Sequence, residues 1–186
     1  MFALILSALL LLASAPTTST QKSKDVVAEA QRLIRQQRFN DAVNRLELFL
    51  ETTPSDAEAL AFYGTAQMYA DRDFLKAQQT FEASFSAGGG ASFWVNHSHQ
   101  SSFDGDDLTD YCRGWLHLRK EGVEYVPDEG DHGFRMPYSD IAEFKQNRFK
   151  TFFHIKREGK HQNFRPRTAE QRETLLILVL YKKFAR

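Results

Sequence analysis

Six histidines and one cysteine are the residues of this chain best suited to chemistry. His97, His99, His117 and His132 fall within forty residues of one another, with Cys112 among them. Imidazole nitrogen and thiolate sulfur are the ordinary ligands of zinc. His97 and His99 are two apart, so a strand presents both on one side. Together with His117, His132 or Cys112 they would complete a zinc ligand set. No C-x-x-C or H-E-x-x-H spacing is present, however, and those are the spacings that hold two ligands on one local element. The expectation is therefore structural or surface histidines, with no metal ligand and no cofactor assigned. A Cys112–His nucleophile pair is the second chemistry open to these residues. Cys112 lies inside a run that reads as a strand, beside Tyr111 and before Gly114-Trp115. It is not on a strained turn or a helix start, so nothing in the sequence lowers its pKa. No catalytic residue is assigned, and the chain is expected to be non-enzymatic. A sole cysteine also excludes an intrachain disulfide. Its expected role is a small buried apolar residue, with pairing to another chain as the alternative.

The elements that would position these residues are short strands. Residues 93–99 read as the first, and 100–110 (QSSFDGDDLTD) as a loop dense in turn formers. Further strands are expected at 111–119, 123–126, 132–136, 141–145, 149–156 and 161–165, separated by Gly- and Pro-containing turns. Phe149, Thr151, Phe153 and Ile155 alternate along the sixth. Thr168 with Gln171 reads as a capping box for a final helix over 169–185.

Before Gly88-Gly89-Gly90 the periodicity is helical. Val26, Ala30, Leu33 and Ile34 share one face of a first helix. Asn40 is the expected cap of a second helix carrying Ala42, Val43, Leu46, Phe49 and Leu50. Thr53-Pro54 ends it, and Ser55 or Asp56 caps a third with Leu60, Tyr63, Gly64 and Tyr69. After Asp71-Arg72-Asp73, a fourth carries Phe74, Ala77, Phe81, Ser84 and Phe85. Phe39-x-x-Ala42 recurs as Phe74-x-x-Ala77, and Leu46 as Phe81.

This recurrence resembles two tetratricopeptide repeats, which are helical hairpins with small residues at close approaches and large ones between hairpins. The matching positions are Ala30, Leu33, Ala42, Leu46 and Pro54, then Leu60, Tyr63, Gly64, Ala77, Phe81 and Ser84. The resemblance implies a concave groove for a protein or peptide partner, lined by Gln31, Arg35, Thr65, Met68 and Tyr69. Packing of those side chains on the second half is the alternative. Two repeats bury too little alone, so the second half or self-association must cover the last hairpin. Seven antiparallel strands followed by one helix resemble, in element order, a pleckstrin-homology-like barrel. Such barrels bind lipid headgroups through a basic first loop, but here that loop carries Asp104, Asp106, Asp107 and Asp110. The positive residues come later, at Lys145, Arg148, Lys150, Lys156, Arg157, Lys160, Arg165 and Arg167. They are expected to be solvated strand faces.

The expected class is α+β: a leader at 1–20, helical hairpins at 21–90, and an antiparallel β domain with a C-terminal helix at 91–186. A net charge of +0 gives no bulk attraction to nucleic acid or to an anionic membrane. Residues 1–15 carry no charge, and Phe2–Leu12 is shorter than the ~20 residues of a membrane span. With Ala13-Ser14-Ala15 it reads as a secretory signal, or alternatively as an uncleaved tether. The expectation is an exported scaffold or adaptor, secreted or periplasmic. The rival is a ligand-, lipid- or metal-binding β module braced by the hairpins.

Overall fold

The computed structural model describes residues 17–99, 110–168 and 170–185, with side chains from residue 21 onward. Most of the expected leader and the acidic residues 104–107 lie outside them. Four helices come first: α1 (Thr17–Arg35), α2 (Phe39–Thr52), α3 (Ala57–Ala70) and α4 (Phe74–Ser86). Seven strands follow: β1 (Gly90–Ser98), β2 (Tyr111–Arg119), β3 (Gly122–Pro127), β4 (Phe134–Pro137), β5 (Glu143–Gln146), β6 (Phe153–Arg157) and β7 (Lys160–Pro166). Helix α5 (Gln171–Phe184) closes the order, so the class is α+β.

The helices form two hairpins. Asp56 caps α3 by accepting from the Ala59 amide, and Asp73 caps α4 in the same way. The α2 cap differs from expectation: Arg38, not Asn40, is the N-cap, because the helix begins two residues earlier, at Phe39. At Gly64 the two helices of the second hairpin, α3 and α4, meet so closely that a Cβ would lie 2.7 Å from the Phe81 ring.

All strand pairs are antiparallel, in the order β4-β3-β2-β1-β7-β6-β5. Central β1 is buried along its whole length. One side of it takes α3, through Thr65 on the Ser92 carbonyl and Phe62 on Trp115 and His117 of the paired β2. Phe93 and His97 share the other side: Phe93 meets Phe81 of α4, and His97 enters an aromatic core in which it, Tyr125 and Phe153 pack on Phe164. Strands β4 and β5 are the ends of the ladder. Helix α5 reaches across both, because Tyr181 touches Phe144 of β5 and Tyr138, just after β4. The same helix stacks Phe184 on Phe85 of α4.

Two details of the β half depart from the sequence expectation. Strand β6 starts at Phe153, and Phe149 stands 52% exposed in the loop before it. The capping box is not formed. The α5 cap is Glu170, while Thr168 donates its hydroxyl to the buried Glu173 carboxylate instead.

Candidate functional site

Antiparallel register brings the chemistry-bearing residues together. On β1 and β2, His97 lies directly opposite Cys112. The ladder runs one step further, with the His99 amide donating to the Asp110 carbonyl at 3.2 Å. His132 arrives from the β3–β4 connection, residues 128–133. Gly130 turns there at φ +86°, and Gly133 lies where a Cβ would sit 2.9 Å from the Tyr125 carbonyl oxygen. The loop can thus fold back flat on β3, which carries His132 over the end of the β1–β2 hairpin.

One donor atom from each of His97, His99, Cys112 and His132 lies within 4.8 Å of all the others. Cys112 Sγ is 2.7 Å from His132 Nε2 and 3.6 Å from His97 Nδ1. The His97 and His132 rings stack near-parallel, and His99 meets His132 edge-on at 4.9 Å. Three of the four groups have a further hydrogen-bond partner. His97 Nε2 is 2.8 Å from Gln162 Oε1, His99 Nδ1 is 3.0 Å from Asp110 Oδ1, and Cys112 Sγ is 3.0 Å from the Tyr125 hydroxyl. His97 is buried, Cys112 half-buried, and His132 exposed.

Burial lowers the His97 pKa to about 4, helped by the neighbouring His99 and His132 and opposed by the Gln162 hydrogen bond. At neutral pH its ring is an uncharged donor of a lone pair. Burial pushes the Cys112 thiol up, against the Tyr125 hydrogen bond, which lowers it. This is opposite to the direction that activates a thiol as a nucleophile. His117 belongs to another place. It is buried against Phe62 and bonded to Ser92 Oγ at 2.8 Å, a satisfied core histidine.

Beside the cluster a cleft of about 800 Å³ opens between the end of α1 and the sheet. Cys112 and Tyr111 line it together with Trp94, Arg113, Arg35, Asp128 and Glu129. Arg35 crosses it to reach Asp128 at 2.7 Å, and its guanidinium lies 5.7 Å from the Trp115 ring centroid. The Trp94 indole N–H donates to the same Asp128 at 3.3 Å, while Arg167 lies over its ring.

The residues expected to line an open repeat groove are placed differently. Thr65 and Met68 are buried, and so is Tyr69, whose hydroxyl meets the Trp94 carbonyl and the Glu173 carboxylate. Thr65 and Tyr69 thus face β1 of the chain's own sheet, and Tyr69 also meets α5. Gln31 is half-buried, and only Arg35 reaches the cleft. Several of the late basic residues have partners of their own. Lys145 pairs with Glu143, Arg157 with Asp140 and Glu158, and Arg165 lies over Phe152.

Tyr125, Gln162, Asp110 and Trp94 were not legible as site residues, since nothing in their local sequence marks them. A strand pairing of β1 with β2 about the Asp104-Gly105 dipeptide would have set His97 against Cys112.

No family model matches the sequence, and no curated protein matches it. Among solved structures, the chain is similar to the N-terminal PH domain of human ARAP2, with a TM-score of 0.34 and 15% identity over 50% of this chain and 79% of that one.

Proposed function

We propose that this chain is a non-enzymatic, exported binding module in which tetratricopeptide-type hairpins brace the β half, and that a protein partner docks in the cleft between α1 and the sheet. The observation that carries the reading is the cleft itself. It is a concave surface between α1 and the sheet that combines a half-exposed Tyr111 with the charged ends of Arg113 and Glu129. Aromatic and arginine side chains are the usual anchors of protein interfaces. The occupant that fits is an extended segment offering an apolar side chain to Tyr111 and a carboxylate to Arg113. The uncharged run Phe2–Leu12 supports export.

Immobilised wild-type protein, Tyr111→Ala, Arg113→Glu and, as a control on a distant exposed residue, Leu48→Ala would be compared for retained proteins from the native host. A partner held by wild type and Leu48→Ala and released by both cleft variants is the expected result. The proposal fails if wild type retains nothing, or if the cleft variants retain the same proteins.

A further inference from the structure

We propose that His97, His99, Cys112 and His132 hold one zinc ion in a tetrahedral site with three nitrogens and one sulfur, tying the β3–β4 connection to the end of the β1–β2 hairpin. The first argument is metric. With Zn–N of 2.0–2.1 Å and Zn–S of 2.3 Å, tetrahedral ligands stand about 3.4 Å apart for two nitrogens and about 3.6 Å for nitrogen and sulfur. The four donors already lie within 4.8 Å of one another, and Cys112 Sγ is 3.6 Å from His97 Nδ1. His132 Nε2, at 2.7 Å from the sulfur, has to withdraw by about 1 Å to reach that spacing. It sits on an exposed loop, where a rotamer change suffices.

The second argument is orientation. Histidines that bind metals give their other ring N–H to a carboxylate, carbonyl or amide oxygen, which fixes the tautomer. Gln162 Oε1 takes that role at His97 Nε2, and Asp110 Oδ1 at His99 Nδ1. Nδ1 of His97 and Nε2 of His99 are then left as lone pairs. The acceptor at His99 is not required by core packing, since that side chain is 37% exposed.

The third argument is the ligand set. Imidazole and thiolate exclude calcium and magnesium, which take oxygen ligands, and a mixed nitrogen–sulfur tetrahedron suits zinc. Four protein donors leave no open position, so the ion is structural. Cys112 and His97 supply a rigid half from paired strands, and His132 closes the site from the loop. A chain with one cysteine has no disulfide to do this.

The test uses the full chain, prepared without chelators and titrated with cobalt(II), which substitutes for zinc and reports its own geometry. One equivalent per chain is expected, with intense visible bands of a tetrahedral ion, a sulfur-to-cobalt charge-transfer band in the near ultraviolet, and displacement by zinc. Cys112→Ser should lose the charge-transfer band. Asp110→Asn and Gln162→Ala should keep it but bind about 10- to 100-fold more weakly. His161→Ala, on the β6–β7 hairpin, should bind like wild type. His132→Ala changes only an exposed loop residue, so it decides the matter should Cys112→Ser fail to fold: its affinity should fall by at least about 10-fold. Folded wild type that takes up no stoichiometric cobalt overturns the proposal. So does a charge-transfer band that survives in Cys112→Ser, or His132→Ala binding as wild type does.

Discussion

The hydroxyl of Tyr69 on α3 donates to the Glu173 carboxylate on α5 at 2.7 Å, joining residues 104 positions apart. The Trp94 carbonyl of β1 lies 3.2 Å from the same hydroxyl, so three elements meet at one buried polar point. Glu173 is inaccessible to water and Tyr69 is buried, and the Thr168 hydroxyl is a further partner of the carboxylate. Such a group tolerates burial only while its hydrogen bonds are kept. The helical hairpins and the β half are therefore joined by chemistry as well as by apolar contact.

Tyr69→Phe should destabilise the protein by about 1–3 kcal/mol, because it leaves the buried Glu173 short of a donor. Met68→Ala should cost about 2–5 kcal/mol, the range for emptying a buried apolar site. Urea denaturation followed by circular dichroism measures both. If either variant matched wild-type stability, the residue would not be part of the interface between the two halves, and an open groove would have to be reconsidered.

Burial raises the Glu173 pKa to about 7, against hydrogen bonds from Thr168 and Tyr69 that lower it. Its folded value lies above its unfolded value near 4.5, so folding takes up a proton between those limits. The stability this group contributes is complete below about pH 4.5 and is lost as pH rises through about 7. His117 acts in the opposite sense. Burial lowers its pKa to about 3, with Arg119 adding to the effect, so its contribution is present above pH 6.5 and lost as pH falls. Glu173→Gln removes only the first effect. The stability of this variant relative to wild type should rise from pH 4.5 to pH 7.5, by up to roughly 3 kcal/mol. A difference that stays flat over that range would mean Glu173 does not titrate in the folded protein.

Sequence pattern located nearly every element because each carries its own local signal. Alternation marks the strands, three- and four-residue spacing marks the helices, and Gly88-Gly89-Gly90 marks the change between them. What pattern reasoning missed is what faces what. Helix α3, AEALAFYGTAQMYA, carries a single charge at Glu58. A helix apolar on all sides is buried on all sides, so Met68 and Tyr69 could have been recognised as core. The His97/His99/Cys112/His132 cluster was only half legible. A strand places His97 and His99 together, but His132 comes from a loop whose fold-back depends on Gly130 and Gly133, and no local spacing reports that. The Thr168 reading failed for a different reason. The residue does use its hydroxyl, but for a buried carboxylate instead of a helix end.

Two glycines make a matched test of how tightly the halves are built. A Cβ at Gly64 would meet the edge of the Phe81 ring at 2.7 Å, whereas one at Gly114 would meet the Val126 carbonyl oxygen at 2.4 Å. A ring can tilt, and alanine recovers about 1 kcal/mol of helix propensity at Gly64. The net cost of Gly64→Ala should thus be small, within about 2 kcal/mol. At Gly114 the clash is with the backbone of a paired strand, so relief requires prising β2 from β3. Gly114→Ala should be the more damaging of the two, by at least about 1 kcal/mol in thermal or urea unfolding. The reverse order would mean that β2 and β3 yield more easily than the α3–α4 contact.

The Arg35–Asp128 pair spans the cleft, and its partial exposure decides how much it can contribute. The side chains are 39% and 21% exposed, so solvent screens the attraction. A double-mutant cycle with Arg35→Met and Asp128→Asn should return a coupling of about 0.2–1 kcal/mol, shrinking as salt is raised. The two changes should not be equal singly. Asp128 also accepts from the Trp94 indole, and Arg35 lies over the Trp115 ring. These are the chain's two tryptophans, so their fluorescence reads the cleft directly. Asp128→Asn should alter emission mainly from Trp94, and Arg35→Met mainly from Trp115, which single Trp→Phe backgrounds would separate. Emission unchanged by both substitutions would show that Arg35 and Asp128 do not close over the tryptophans in solution, and the cleft would then be wider than the structure places it.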